Sequence, residues 1–406
     1  MLDSLDGETD WHLLHHVVRE NSPVAVVYGS APGIGGLGHS VASALDGIRA
    51  IVPDVWACGP TRTGKWFAEG GKAGIVWRTA PDPPMTPIDR LWYRWQTGRY
   101  VHFRDAALAA WHAKEIEKVQ PKLLYGFTQV SLDAMRWAKT AGIPTILENP
   151  NGHIRNFRRV YCEESEKLCH SPFRGHPCSQ MVARVEAEYQ LATYIRVYSH
   201  WAKQNMVDFG IPAGKLLVAP HGIDTDRFAP SEYELPERDG PLKLCFVGSV
   251  CLRKGVYYLL RAMRRFERDR LQLRIVGATG DRAFSKLFLR ERRNLAVEAA
   301  PGDPLPAYRK AEIMVMPTLE DGFGFVVAEA MACGLPVIVT SACGASEWIK
   351  QGETGWIVPP GDEDALASAI ADAYSRRSEL KEMGELGRRH VLMQVEKLRP
   401  QSSCAR

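Results

Sequence analysis

Several features are scarce in this 406-residue chain. No stretch reaches the roughly 18 consecutive apolar residues of a membrane span. Residues 1–10 are acidic and lack the charged-then-apolar pattern of an export signal. The nine cysteines therefore read as thiols of a reducing compartment, and the expected localisation is cytoplasmic. Charge of one sign is scarce too. The 51 Lys and Arg against 47 Asp and Glu leave a net +4. That is too mild to argue for nucleic acid, but it is compatible with an anionic ligand or weak peripheral association at the inner face of a membrane. Cys162, Cys169, His170, His176 and Cys178 crowd together, yet the group lacks the C-x2–4-C pair usual in structural zinc sites. It reads as an irregular insertion.

What is present is ordinary globular material, 45% hydrophobic and 24% charged, in a length suited to two or three domains. Short apolar runs at residues 24–28, 75–77, 123–125, 145–147, 195–198 and 216–219 read as buried strands. Helical patterns at 104–119, 132–140 and 182–191 lie between them. This alternation predicts a parallel sheet covered on both faces. Residues 90–104 mix aromatics with arginines, as in a helix with rings inside and arginines outside, or in a patch that grips a lipid or an acceptor.

The first strand leads into a glycine-rich loop over residues 29–38 and a helix from His39. Gly33, Gly35 and Gly38 satisfy G-x-G-x-x-G, and Asp54 lies about 20 residues further on, as a dinucleotide-binding turn requires. A nicotinamide-dependent oxidoreductase is thus one open reading, although such turns also serve other phosphates and simple packing. Glu148 to His153 follow a strand end, where α/β folds place ligands. Arg155, Arg158 and Arg159 come next and suit either an anionic acceptor or a solvated basic face.

Residues 232–241, rich in Pro, Glu and Asp, read as a linker. A second βαβ series follows, with strands at 244–247 and 273–276 and a helix over 256–268. In its first turn Arg253 and Lys254 stand together, a fork and a point charge suited to a diphosphate, or else a solvated basic turn. The strand at 313–317 leads into the loop Glu320-Asp321-Gly322-Phe323-Gly324 and a helix from Phe325 to Cys333, stopped by Gly334. In that apolar helix Glu329 is the single charge, and burying it would require hydrogen-bond donors. Asp321 stands at the helix mouth, roughly 12 Å of helical rise from Glu329 at 1.5 Å per residue. The amides of Gly322, Phe323, Gly324 and Phe325 present free donors suited to phosphate. Two carboxylates for hydroxyls, with a diphosphate site between, describe a nucleotide sugar. The simpler reading is a helix cap at Asp321 and a core ion pair at Glu329.

The run Asp321-Gly322-Phe323-Gly324-Phe325 through Glu329-Ala330-Met331-Ala332-Cys333-Gly334-Leu335-Pro336 resembles the acidic-x7-Glu motif of retaining glycosyltransferases of family four. Gly344, Glu347 and Gly352-Glu353-Thr354-Gly355 extend the likeness, as does Pro220-His221-Gly222-Ile223-Asp224. The resemblance implies an α/β protein of two Rossmann-like domains facing a cleft (GT-B). Its parts would be an acceptor-side domain over 1–231, the linker 232–241, a nucleotide-sugar domain over 242–376 and an atypical tail over 377–406. It implies transfer of a glycosyl unit from a nucleotide-diphosphate sugar to a hydroxyl of a sugar, lipid-linked or small-molecule acceptor, in polysaccharide, glycolipid or glycoconjugate synthesis. Asp321 would contact the donor sugar and Glu329 the ribose. Gly35 and Gly36 would approach the donor phosphate, and His153 would border the sugar. Where the family often has Arg after Gly248 this chain has Ser249, leaving Arg253 and Lys254 as the cations of the turn. No cofactor or metal is expected, and the triplets Asp224-Thr225-Asp226 and Asp362-Glu363-Asp364 read as ordinary turn and N-cap residues. A nucleotide-sugar-binding regulator without turnover is a further reading.

Overall fold

The computed structural model describes residues 10–30, 35–60, 74–80, 97–173, 175–230, 240–279 and 282–398. The chain divides into two compact units. The first takes residues 1–158 and 174–221, and the second takes 159–173 and 222–406.

In the first unit the order is α1 (Trp11–Glu20), β1 (Val24–Val27), α2 (Gly35–Ile51), β2 (Val55–Gly59), β3 (Ile75–Thr79) and α3 (Thr97–Val119). Then come β4 (Leu123–Phe127), α4 (Leu132–Thr140), β5 (Thr145–Glu148), α5 (Ile154–Cys169), α6 (Ser179–Leu191), β6 (Tyr194–Val197), α7 (His200–Asp208) and β7 (Leu216–Val218). The strands pair in the order β3-β2-β1-β4-β5-β6-β7, all parallel. Their continuous apolar runs follow from burial on both faces. Ala25 and Val27 pack into one core with Leu124, Leu147 and Ile195, while Val24 and Val26 pack into another with Leu123 and Ile146. Helix α2 covers the second face through Val41, Ala44, Leu45 and Ile48, at helical spacing, and α4 covers the first through Ala134, Met135 and Ala138. Helix α2 starts at Gly35, ahead of the His39 expected from the glycine loop. Residues 31–34, with Gly33, lie outside the described residues.

The second unit has β8 (Leu242–Val247), α8 (Val256–Met263), β9 (Leu271–Val276), α9 (Arg282–Glu291), β10 (Val297–Ala300), α10 (Leu305–Lys310) and β11 (Ile313–Met316). It closes with α11 (Phe325–Ala332), β12 (Val337–Thr340), β13 (Gly355–Val358), α12 (Glu363–Ser375) and α13 (Leu380–Leu398). Its parallel sheet runs β10-β9-β8-β11-β12-β13. Strand order therefore reverses between β8 and β11. At such a switch point the loops leaving the carboxyl ends diverge and open a crevice.

Two departures from the sequence expectation concern this unit. Residues 159–173 group with it, because Tyr161 bonds Cys251 and both Glu164 and Lys167 bond Tyr258. The supposed atypical tail is, through residue 398, the helix α13. Its stripe of Leu380, Met383, Gly384, Gly387, Val391 and Val395 is buried. A Cβ at Gly384 would lie 1.8 Å from the Gly334 carbonyl oxygen, so only glycine allows this approach to the end of α11. Arg388 donates to the Ala332 carbonyl there, a cation at the negative end of a helix. No described helix is long and apolar enough to cross a membrane.

Candidate active site

The loops after β8 and β11 meet at the switch point of the second sheet. After β8 the chain makes a short 3-10 turn, Leu252–Lys254, and Gly255 takes a left-handed φ of +66°. A Cβ at Gly255 would lie 1.8 Å from the Pro317 carbonyl oxygen, so glycine is what brings the two loops together. The Leu319 amide donates to the Arg253 carbonyl at 2.8 Å, and the Thr318 hydroxyl donates to it at 3.2 Å. Helix α8 ends at Met263, shorter than its sequence pattern predicts.

This stitching turns both cations of the first loop onto both acids of the second. Arg253 Nη1 donates to the Glu320 carbonyl at 2.5 Å and lies 3.2 Å from Glu320 Oε2 and 4.0 Å from Asp321 Oδ2. Lys254 is salt-bridged to Asp321 Oδ2. Burial alone would raise the Asp321 carboxyl, but Lys254 and then Arg253 outweigh it and hold the group below its usual range. Burial likewise works against the Arg253 cation, and Glu320 and Asp321 more than restore it, so its affinity for the proton rises. Glu320 was not singled out from sequence, where nothing separates it from a surface acid. In the structure it is fully buried.

The loop from Asp321 to Gly324 is held from behind by the segment after β12. The Asp321 amide donates to the Ala342 carbonyl at 2.9 Å, the Gly344 amide to the Asp321 carbonyl at 3.0 Å, and the Ala345 amide to the Phe323 carbonyl at 2.6 Å. Gly324 has φ +81°, and a Cβ there would meet Cys343 Sγ at 2.6 Å. The loop is not helical before Phe325, so the helical rise does not measure the span from Asp321 to Glu329. Nor are all its amides free, since that of Phe323 donates to Asp321. The Phe323 ring is buried against Phe325 and Trp348, at 4.7 and 4.8 Å between centroids. Phe323 thus offers a ligand its backbone, not its ring.

Glu329 departs from the expected buried carboxylate. With Phe325 and Val326 it lies on the partly exposed face of α11, and its Oε2 accepts from the Tyr308 hydroxyl at 3.0 Å. Pairing with Glu329, after burial itself, pushes the Tyr308 phenol well above its ordinary value.

Gly35, Gly36 and His153 belong to the first unit. Gly35 and Gly36 form the first turn of α2, at the carboxyl end of β1. His153 precedes α5 and is buried, stacked 4.7 Å from Phe209, so it is not a surface-loop histidine. Burial, with Arg155 adding to it, pushes its pKa down to about 4. Its Nδ1 accepts from the Arg155 amide at 3.2 Å, which leaves the proton of the neutral ring on Nε2. Asp54 precedes β2 and so sits at the amino edge of the sheet, the end opposite the start of α2 at Gly35 and not the end where such folds hold a ribose.

The remaining candidates find local partners. Arg155 pairs with Glu186, Arg159 with Glu163, and Arg158 donates to the Pro177 carbonyl. Phe103 in α3 is 64% exposed, unlike a ring turned inward, and Trp92, Tyr93 and Trp95 lie outside the described residues. Among the described residues no three His, Cys, Asp or Glu side chains gather as metal ligands. Asp362 caps α12 through the amides of Asp364 and Ala365, and Asp224 accepts from the Arg227 amide at 2.9 Å.

Residues 241–376 match the family of glycosyl transferases group 1. The chain is 30% identical over 231 residues to the GDP-mannose-dependent alpha-(1-6)-phosphatidylinositol monomannoside mannosyltransferase of Mycolicibacterium smegmatis. That match covers 52% of this chain and 59% of the relative. It is 31% identical over 241 residues to the D-inositol 3-phosphate glycosyltransferase of Geodermatophilus obscurus, covering 54% and 52%. The chain thus spans little more than half the length of these relatives. The structure of Anabaena Alr3699/HepE in complex with UDP-glucose superimposes with a TM-score of 0.69 at 15% identity, covering 92% of this chain and 96% of that one. At that identity the likeness establishes the fold: α/β, with two parallel sheets, of the GT-B kind.

Proposed function

From the premise that the second unit carries a glycosyl transferases group 1 domain, we propose that the chain is a retaining glycosyltransferase dependent on a nucleotide-diphosphate sugar. The observation that supports this most is the pairing of Arg253 and Lys254 with Glu320 and Asp321 at the reversal of strand order. The pairing sets two cations and two acids on loops that β8 and β11 hold together. The diphosphate takes Lys254 and Arg253, the sugar hydroxyls take Asp321, and the ribose takes Glu329. Donor binding is then an exchange in which Lys254 passes from Asp321 to phosphate and Asp321 is freed to accept from a hydroxyl.

In the reaction the bond from the anomeric carbon to the diphosphate oxygen breaks. A new bond forms from the acceptor oxygen on the same face, and the acceptor proton passes to the departing phosphate. Negative charge grows on the diphosphate as the bond breaks, so fixed cations there stabilise the transition state more than the ground state. His153, a neutral N–H donor, serves the first unit's side of the reaction beside the sugar or acceptor. Gly35 and Gly36 let backbone approach the ligand. The relatives named above and this chemistry support a lipid-linked or sugar acceptor in glycolipid or polysaccharide synthesis.

A panel of UDP- and GDP-sugars and NADH, screened by thermal shift and followed by nucleoside diphosphate release, tests the proposal. Stabilisation by one nucleotide sugar and release dependent on acceptor are expected. Stabilisation by NADH alone, or binding without any turnover, would overturn it in favour of the oxidoreductase or the regulator.

A further inference from the structure

Helix α5 carries a residue that neither the motifs nor the family match identifies. Tyr161 lies in the part of that helix grouped with the second unit. Its hydroxyl lies 3.4 Å from Cys251 Sγ, as a donor, and is also hydrogen-bonded to the Arg253 side chain. A guanidinium only donates, so the hydroxyl accepts from Arg253 while giving its own proton to sulfur. Both directions of the hydroxyl are therefore used, and its ring is fixed by stacking on Phe173 at 4.7 Å and 19°.

The same segment also grips the far side of the turn. Glu164 accepts from the Tyr258 hydroxyl at 2.8 Å, and Lys167 Nζ donates to that hydroxyl at 2.8 Å. Tyr258 stands in the first turn of α8, which leaves the Arg253-Lys254 turn. Residues 159–173 thus touch the turn before and after its cations. Glu320 fixes one nitrogen of the Arg253 fork from the β11 side. Tyr161 supplies a second contact from another element, and two partners on separate elements hold a planar fork as one cannot.

We propose that Tyr161 is a positioning residue, which acts through Arg253 and fixes the plane of its guanidinium for the departing diphosphate. The inference rests on the reading of Arg253 as a diphosphate cation. Catalytic groups misplaced by about an ångström lose up to about a hundredfold in rate. A fork that keeps its Glu320 contact loses less.

Tyr161→Phe keeps the stack on Phe173 and removes only the hydroxyl. With the full chain and its nucleotide sugar, kcat is expected to fall about tenfold while the donor KM stays within about twofold. In an Arg253→Ala background the same change is expected to have no further effect, because its target is gone. Wild-type kcat in Tyr161→Phe, or an equal loss with and without Arg253, would overturn the inference while the donor site stood. If Tyr161→Phe melts early, Cys251→Ala supplies the second arm. It removes the acceptor that orients the hydroxyl and is expected to lower kcat in the same direction, and an unchanged kcat there overturns the inference. Calorimetry of the wild type with nucleoside diphosphate separates the two layers, since no binding at all would bring down the Arg253 reading and this inference with it.

Discussion

In the first unit Glu148, Arg196 and His221 form a cluster borne mostly on strands, whereas the second unit's Arg253, Lys254, Glu320 and Asp321 stand on loops. Glu148 and Arg196 are in β5 and β6, and Tyr125 of β4 donates to Glu148. His221 follows β7, with Nε2 2.6 Å from Glu148 and Nδ1 3.2 Å from Arg196 Nη2. Because Arg196 can only donate, Nδ1 accepts and the ring is neutral, its proton on Nε2 facing Glu148. Tyr198 closes the far side of the carboxylate. Burial would raise Glu148, but Arg196 and then His221 bring it down to about 2. Each member is within its neighbours' reach, and exposure is 0% at Glu148 and 2% at Arg196. In the second cluster Glu320 is as buried as Glu148, but side-chain exposures are 13% at Arg253 and Lys254 and 11% at Asp321. Strand-borne charges closed on themselves serve stability. Loop-borne charges at a switch point, joined by contacts that a ligand can replace, suit the proposed binding role.

Arg196→Met would break the first cluster and strand a buried carboxylate, at a cost of about 3–5 kcal/mol. Lys254→Met is expected to cost far less, since Asp321 keeps Arg253 at 4.0 Å and the Phe323 amide. Equilibrium denaturation of the two variants checks the contrast, and equal losses would erase it. Glu329→Gln comes next. If Glu329 accepts from the ribose as proposed, the change removes charge from that acceptor for roughly 1.5–3 kcal/mol. Donor affinity measured by calorimetry should therefore fall about ten- to a hundredfold with little change in Tm.

Acid sharpens the comparison further. Burial holds His112 and His153 at about 4, aided at His153 by Arg155, and lowers His221, with Arg196 adding to it. A histidine whose folded pKa lies below its unfolded 6.5 contributes stability that is complete above 6.5 and is lost as pH falls towards the folded value. Glu148, at about 2 against 4.5, adds a loss between those values. All four groups belong to the first unit. Hydrogen exchange at pH 7.5 and 5.5 should therefore lose protection first in β4 and β5, and earlier loss in β11 and β12 would contradict the assignment. The smallest effect concerns metal. In the proposed site Arg253 and Lys254 supply the charge a metal would bring to the diphosphate, so excess EDTA should leave the rate within about twofold, under about 0.5 kcal/mol. Loss restored by Mn²⁺ and abolished in Asp224→Asn would refute this.

The second unit's site loops were the most legible part of the sequence, because glycine and local spacing place them. Gly255 and Gly324 mark turns that no other residue fits, and Asp321 and Glu329 sit one loop and one helix apart. Pairings distant in sequence were not legible. Glu320 looks like any acid until Arg253 meets it, and Tyr161 joins Cys251 and Arg253 only when the fold brings them together. Some elements were missed for local reasons. β10 is a half-exposed edge with Glu298 and two alanines, which carry little strand propensity. The stripe on α13 was readable at helical spacing but lay where the family likeness fades. Asp54 misled because spacing counts residues and does not tell which end of a strand a residue occupies.

The central claim is that Arg253 and Lys254 stabilise charge on a departing diphosphate. Its most direct test is steady-state turnover of Arg253→Ala and Lys254→Ala at saturating nucleotide sugar, with donor affinity measured separately. The account predicts a kcat loss on the order of a hundredfold, the magnitude of removing one electrostatic donor. Lys254→Ala should be the worse of the two, and both should weaken binding less than they slow turnover. Unchanged kcat in both variants, with only a raised KM, would contradict it.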